Sequence, residues 1–189
     1  MRHEIIMSGF GGQGVMVMGQ LLTQAGMMEN KNVSWMPSYG PEMRGGTANC
    51  SVIISDEKVG EPTVSEPSAA IIMNSPSLDK FEPILKSNGI MIINSSLVDK
   101  AAERKDIQDY CVPINDIANE LGSIKMINMV ALGALLAATG IVANESLIQA
   151  FAKKFISKPK LVSVNVEAFS RGYEFVVKSK NDRKSKCQG

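Results

Sequence analysis

The sequence predicts an α/β fold: a three-layer, Rossmann-like domain with a mainly parallel sheet and a helical C-terminal third. Three observations carry that prediction. An apolar strand, Glu4 to Ser8, runs through a glycine-rich turn into a helical pattern. Short continuous apolar runs at Ala69 to Met73 and Ile90 to Asn94 suit central strands covered on both sides. Beyond Pro113 the pattern turns helical. The 189 residues can bury one substantial core, so one domain is the default. Its 44% hydrophobic and 21% charged shares are those of an ordinary globular chain.

Each element has a local reason. After Gly9-Phe10-Gly11-Gly12-Gln13-Gly14, the residues Val15, Met18, Leu22 and Ala25 recur at spacings of three and four, the mark of one helix face. A second strand is expected at Asn32 to Met36. Thr47 to Ser55 alternates, with Ala48, Cys50, Val52 and Ile54 on one side, and Ser55-Asp56-Glu57-Lys58 supplies a polar turn. Ser77 to Lys86 can form a helix capped by Ser77 and kinked or divided by Pro83, with Asn88-Gly89 ending the segment. A short strand follows at Tyr110 to Val112, then helices at Asn115 to Leu121, Ile127 to Thr139 and Glu145 to Phe155. From Pro159, Val162, Val166, Phe169, Tyr173 and Val176 keep helical spacing, yet their β-branched character suits a strand; both readings stay open.

Several function classes are disfavoured at once. A net charge of +1 gives no global basic field for nucleic acid. Lys178, Lys180, Arg183, Lys184 and Lys186 collect at the end, so residues 178–189 read as a solvated, disordered tail after a domain of 1–177. Met126 to Ala143 is almost wholly apolar around Asn128 and Thr139, but Gly140 reads as a helix stop that leaves too few residues to cross a bilayer. Glu4 interrupts the first apolar run, which is not a signal-peptide shape, and a cytoplasmic location is expected. Cys50, Cys111 and Cys187 form no C-x-x-C pair, which argues against an iron–sulfur or zinc site built by this chain alone; Cys50 and Cys111 read as buried thiols. The only histidine, His3, has no evident catalytic partner, and no pair of carboxylates is placed for acid–base work.

The glycine turn is the first candidate site. Strand, glycine turn and helix start together bring backbone N–H groups to one anion. Glycines at 9, 11 and 14 permit positive φ and let a ligand's oxygens reach the main chain. A dinucleotide fold would add a carboxylate at the end of the second strand, where this chain has Ser34, Trp35, Met36 and Pro37, so NAD is disfavoured. The competing reading is that the glycines only allow close strand–helix packing. The second candidate is the loop Pro37-Ser38-Tyr39-Gly40-Pro41-Glu42-Met43-Arg44-Gly45-Gly46-Thr47, expected at the same carboxyl edge of the sheet. Arg44 can fork onto a phosphate; equally, it can pair with Glu42 on a loop that packs against a partner protein.

Two segments in order, Gly9 to Val15 and Ser38 to Cys50, resemble the gamma subunit of 2-oxoacid:ferredoxin oxidoreductases, in the 2-ketoisovalerate, pyruvate and 2-oxoglutarate group. The resemblance extends through Val52 to Glu57, Ile117 to Gly140 and Ala168 to Tyr173. It implies a multi-subunit enzyme that decarboxylates a 2-oxoacid on thiamine diphosphate, passes electrons through iron–sulfur clusters to ferredoxin and delivers the acyl group to coenzyme A. Thiamine diphosphate with its Mg ion and the clusters would sit in alpha, beta and delta partner subunits, since this chain has no Gly-Asp-Gly run. The gamma chain would hold the assembly together and handle coenzyme A. On that reading Gly9, Gly11, Gly12 and Gly14 surround a coenzyme A phosphate and Gln13 orients a phosphate or pantetheine amide. Ser38, Tyr39, Arg44 and Gly45 supply the loop side, with Arg44 on a second phosphate or at the alpha interface and Tyr39 on adenine or against alpha. The isolated chain would be inactive and able to form a homodimer.

Three other readings stand beside it. One is a purely structural subunit whose loops are interfaces. Another is an independent nucleotide- or flavin-binding oxidoreductase, disfavoured by the missing ribose carboxylate. The third is the indolepyruvate oxidoreductase small subunit, which shares a similar glycine turn; the Tyr39-Gly40-Pro41-Glu42 stretch points away from it.

Overall fold

The computed structural model describes residues 1–39 and 47–186, without the side chains of Tyr39 and of 183–186. Six strands form one sheet in the order β2-β3-β1-β4-β5-β6: β1 Arg2–Phe10, β2 Asn32–Tyr39, β3 Thr47–Ser55, β4 Ala69–Ile72, β5 Ile90–Asn94 and β6 Gln108–Val112. The pairs β1–β4, β4–β5 and β5–β6 are parallel, whereas β3 runs antiparallel to both β1 and β2. The chain therefore leaves β2 by a hairpin. Because β2 and β1 flank one antiparallel strand, they run in the same direction, and Tyr39 (opposite Ala48) and Phe10 (opposite Thr47) end at one edge.

Alternation of side chains gives the sheet two apolar faces. On one face Ile5, Met7, Val52, Ile54, Ile71 and Ile92 meet helices α1 (Val15–Met28), α3 (Ile114–Glu120), α4 (Ile127–Thr139), α5 (Asn144–Lys154) and α6 (Pro159–Lys186). On the other, Ile6, Ala70, Ile72, Met91 and Ile93 meet α2 (Ser75–Phe81) and the stretch from Val98 to Ile107. Helix α4 is buried almost all round, which is why its sequence shows no polar stripe. Each fully buried Leu or Ile there removes enough apolar surface from water to contribute about 1.5–3 kcal/mol. Among the described residues no helix is long and apolar enough to cross a membrane.

Several expectations change in detail. Asn74, not Ser77, caps α2: its side chain accepts from the Ser77 N–H at 3.0 Å, and the helix ends at Phe81, before Pro83. The open choice after Pro159 resolves as helix, since burial of Phe169 and Val176 against α4 outweighs β propensity. That helix continues to Lys186, so residues 178–186 extend α6 instead of leaving the domain as a loose tail, and the Lys180 ammonium donates to Ala137 O (2.8 Å) and Ala138 O (3.1 Å). Cys50 is buried as expected; Cys111 is exposed, because it points outward from the edge strand β6.

Candidate functional site

The glycine turn closes on itself between β1 and α1. The Gln13 N–H donates to Phe10 O at 3.2 Å, and the first α-helical bond is Met18 N to Gly14 O. The amides of Val15, Met16 and Val17 thus precede the helix ladder and have no partner within it. Gly14, the N-cap, has no side chain to satisfy them, and no acidic residue lies in the first turn. The helix dipole leaves this end partially positive. The left-handed conformation falls on Gly12 (φ 93°) and Gly14 (φ 75°), not on Gly9 or Gly11. Among the described residues, a Cβ at Gly11 or Gly12 would meet no atom within 4 Å, so the turn is open to them on its outer side. Among the described residues, the main-chain N–H groups of Gly11, Gly12 and Gly14 have no hydrogen-bond partner. The turn fits an anion.

Gly9 and Gln13 are tied into the structure of the turn itself. The Gln13 side-chain oxygen accepts from Phe10 N–H at 2.6 Å, and its NH2 donates to Met73 O at 3.3 Å. Each end of the amide makes a hydrogen bond inside the protein, so Gln13 braces the turn. A Cβ at Gly9 would lie 2.4 Å from that Gln13 oxygen and 2.7 Å from Met73 Cβ, so the absence of a side chain at Gly9 makes room for the brace. Met73 directly follows β4. Helix α1 leaves β1 on one face of the sheet and α2 leaves β4 on the other, so the brace spans the point where the connections change sides. That is where α/β sheets open a ligand crevice. Ser8 and Ser77 share a buried 2.8 Å hydrogen bond beside it, and the buried Asn74 side-chain NH2 has no partner among the described residues.

Ser38 is exposed at the end of β2, on the same edge as Phe10 with β3 between them. Tyr39 closes that strand; Arg44 and Gly45 lie outside the described residues. Beneath the turn, the Trp35 indole and the Cys50 thiol meet over Gly19, where a Cβ would sit 2.6 Å from each. Cys50 also contacts Val15 O at 3.5 Å, and burial pushes its thiol up to about 11, keeping it protonated and inert. Trp35 Nε1 is buried without a conventional partner among the described residues, since the sulfur it faces is a weak acceptor.

One neighbour of the turn was not singled out from the sequence. Asn128, near the start of α4, lies against Gly14, where a Cβ would be 3.1 Å from Asn128 Cβ. Its oxygen accepts from Met129 N–H at 3.0 Å. Asn128 also lines a groove of about 280 Å³ between α4, α5 and α6, walled by Met126, Phe151, Phe155, Leu161 and Val164. The available signal was one amide in an otherwise apolar helix. Among the described residues, no three His, Cys, Asp or Glu side chains cluster as metal ligands.

Comparison with known proteins places this architecture. The family model described as pyruvate ferredoxin/flavodoxin oxidoreductase matches residues 4–175. The chain is 38% identical over 179 residues to the 2-oxoglutarate synthase subunit KorC of Methanocaldococcus jannaschii, covering 92% of this chain and 94% of that protein. It is 37% identical over 178 residues to the ketoisovalerate oxidoreductase subunit VorA of Methanothermobacter marburgensis, covering 93% of this chain but only 37% of that longer protein. Among solved structures, the keto/oxoacid ferredoxin oxidoreductase gamma subunit from Geobacter sulfurreducens superposes with a TM-score of 0.80 at 32% identity, covering 93% of this chain and 98% of that one. With the matched region spanning nearly all of its sheet and helices, the chain belongs to the pyruvate ferredoxin/flavodoxin oxidoreductase family.

Proposed function

We propose that this chain is the non-redox gamma subunit of a multi-subunit 2-oxoacid:ferredoxin oxidoreductase, which converts a 2-oxoacid and coenzyme A to acyl-CoA, CO2 and reduced ferredoxin. Its own contribution is assembly and a phosphate site for coenzyme A. Thiamine diphosphate, Mg and the iron–sulfur clusters belong to the alpha, beta and delta partners. The observation that carries the reading is the open glycine turn: amides of Gly11, Gly12 and Gly14 without a partner among the described residues, beside the uncapped start of α1. A phosphate there accepts from several N–H groups at once and is favoured by the helix end. Gln13 fixes the turn's shape. We assign Ser38, Tyr39, Arg44 and Gly45 to the same ligand, with the Arg44 guanidinium suited to a second phosphate.

Calorimetry of the assembled complex with coenzyme A tests this. Gly11 has open space beside it and no left-handed φ, so Gly11→Val is tolerated by the fold yet fills the approach to the amides. Affinity is expected to fall at least tenfold, about 1.4 kcal/mol, with subunit composition unchanged. Arg44→Ala is expected to weaken binding similarly. Unaltered affinity in both variants would leave a purely structural subunit as the better description.

A further inference from the structure

Two helices begin at the glycine turn. Helix α1 starts after Gly14 and α4 starts one residue before Asn128; neither has a capping side chain or a carboxylate in its first turn. Gly14 and Asn128 are in contact: a Cβ at Gly14 would lie 3.1 Å from Asn128 Cβ and 3.2 Å from Asn128 Nδ2. The positive ends of two helix dipoles therefore lie side by side. Asn128 is only 9% exposed, in a helix whose other residues are nearly all apolar and buried. Its side-chain oxygen accepts from Met129 N–H at 3.0 Å. That bond fixes which end of the amide is the oxygen and leaves the NH2 beside Gly14. The NH2 has no hydrogen-bond partner among the described residues. A buried donor left unpaired is costly, and an apolar side chain at this position would avoid the cost.

We infer that Asn128 is a ligand-binding residue of the glycine turn, its side-chain NH2 donating to the phosphate that the amides of Gly11, Gly12 and Gly14 hold. The inference rests on the phosphate reading above and adds a side-chain donor to a site otherwise built from main chain. The N–H groups of those three glycines have no partner among the described residues, and Asn128 Nδ2 stands beside the last of them. A phosphate has several oxygens, each able to accept more than one hydrogen bond, so it takes both kinds of donor at once. Gln13 carries the same chemical group, but each end of its amide is already bonded inside the protein; Asn128 offers a free end. Asn128 also lines the groove between α4, α5 and α6, so it stands between two openings, the turn on one side and the groove on the other.

Calorimetry of the assembled complex with coenzyme A separates the possibilities. Asn128→Asp keeps the size of the side chain and the acceptor for Met129 N–H, but sets a negative oxygen where the NH2 was. Affinity is expected to fall at least about a hundredfold, because like charges then face each other. The unliganded complex is expected to melt no lower than wild type, since a carboxylate at two helix starts is favourable. Asn128→Ala removes the donor without adding charge and is expected to weaken binding about ten- to a hundredfold. It decides instead should Asn128→Asp fail to assemble. A residue that only shapes the turn tolerates the isosteric change, so wild-type affinity in Asn128→Asp would overturn the inference. If Gly11→Val weakens binding and the Asn128 variants do not, the phosphate reading stands and Asn128 drops out of the site. If none of them weakens it, both readings fall. A loss in the Asn128 variants with wild-type affinity in Gly11→Val would put the ligand in the groove, and that too overturns the assignment to the turn.

Discussion

Gly133 on α4 and Gly172 on α6 sit at one helix crossing where backbone lies directly on backbone. A Cβ at Gly133 would fall 2.0 Å from Phe169 O, and one at Gly172 would fall 2.0 Å from Val130 O. The crossing ties together the glycine turn and the groove. Helix α4 carries Asn128 against the glycine turn, and the start of α6 forms a wall of the groove. The distance between turn and groove is therefore set by two absent side chains.

Gly133→Ala and Gly172→Ala are each expected to destabilise the chain by at least the overpacking cost of about 1–3 kcal/mol, because the atom met is main-chain carbonyl and cannot rotate away. Urea unfolding of each variant measures it. Equal midpoints for wild type and both variants would mean the helices do not approach this closely.

The Gln13 brace makes a second prediction. Gln13→Ala leaves Phe10 N–H and Met73 O without the side chain that joins them, an expected loss of about 1–3 kcal/mol. Gly9→Ala is expected to cost a similar amount by driving a methyl into the same amide. A thermal unfolding series checks both. Were Gln13 a ligand contact alone, its removal would leave the melting temperature of the unliganded chain untouched and change only coenzyme A affinity.

Local pattern revealed the elements far better than their partners. Strand, glycine turn and α1 were legible because Val15, Met18 and Leu22 repeat at helical spacing directly after the turn. Helix α4 was legible to the residue because Ile127 to Thr139 is bounded by Gly140. The hairpin after β2 was not, since nothing between Pro37 and Thr47 distinguishes a reversal from a crossover, and the direction is settled by β3 pairing with both neighbours. Gln13 looked like a ligand group because its acceptor, Met73 O, lies 60 residues along the chain, where sequence spacing carries no information. Cys111 looked buried because its neighbours Tyr110 and Val112 are; on an edge strand, alternation sends the residue between them outward.

The third prediction concerns acid. Asp56 sits between the Lys31 ammonium and the amino group of Met1, which donates at 2.6 Å. The hydrogen bond from Lys31, then that from the amino terminus, holds its carboxyl down at about 2, against an ordinary 3.8. A carboxyl whose folded value is depressed contributes stability above its unfolded value, and that contribution disappears as pH falls through the folded one. The window is therefore about pH 4 down to pH 2. Asp106, also held well below the usual carboxylate range by the Arg104 hydrogen bond, gives up its share at still lower pH. Both pairs are exposed to solvent, so screening keeps each contribution small and makes it smaller in high salt. Urea midpoints at pH 4 and pH 2 are expected to differ less in Asp56→Asn than in wild type, and the two proteins are expected to converge at pH 2. Parallel loss of stability in both would place the acid-sensitive carboxyl elsewhere.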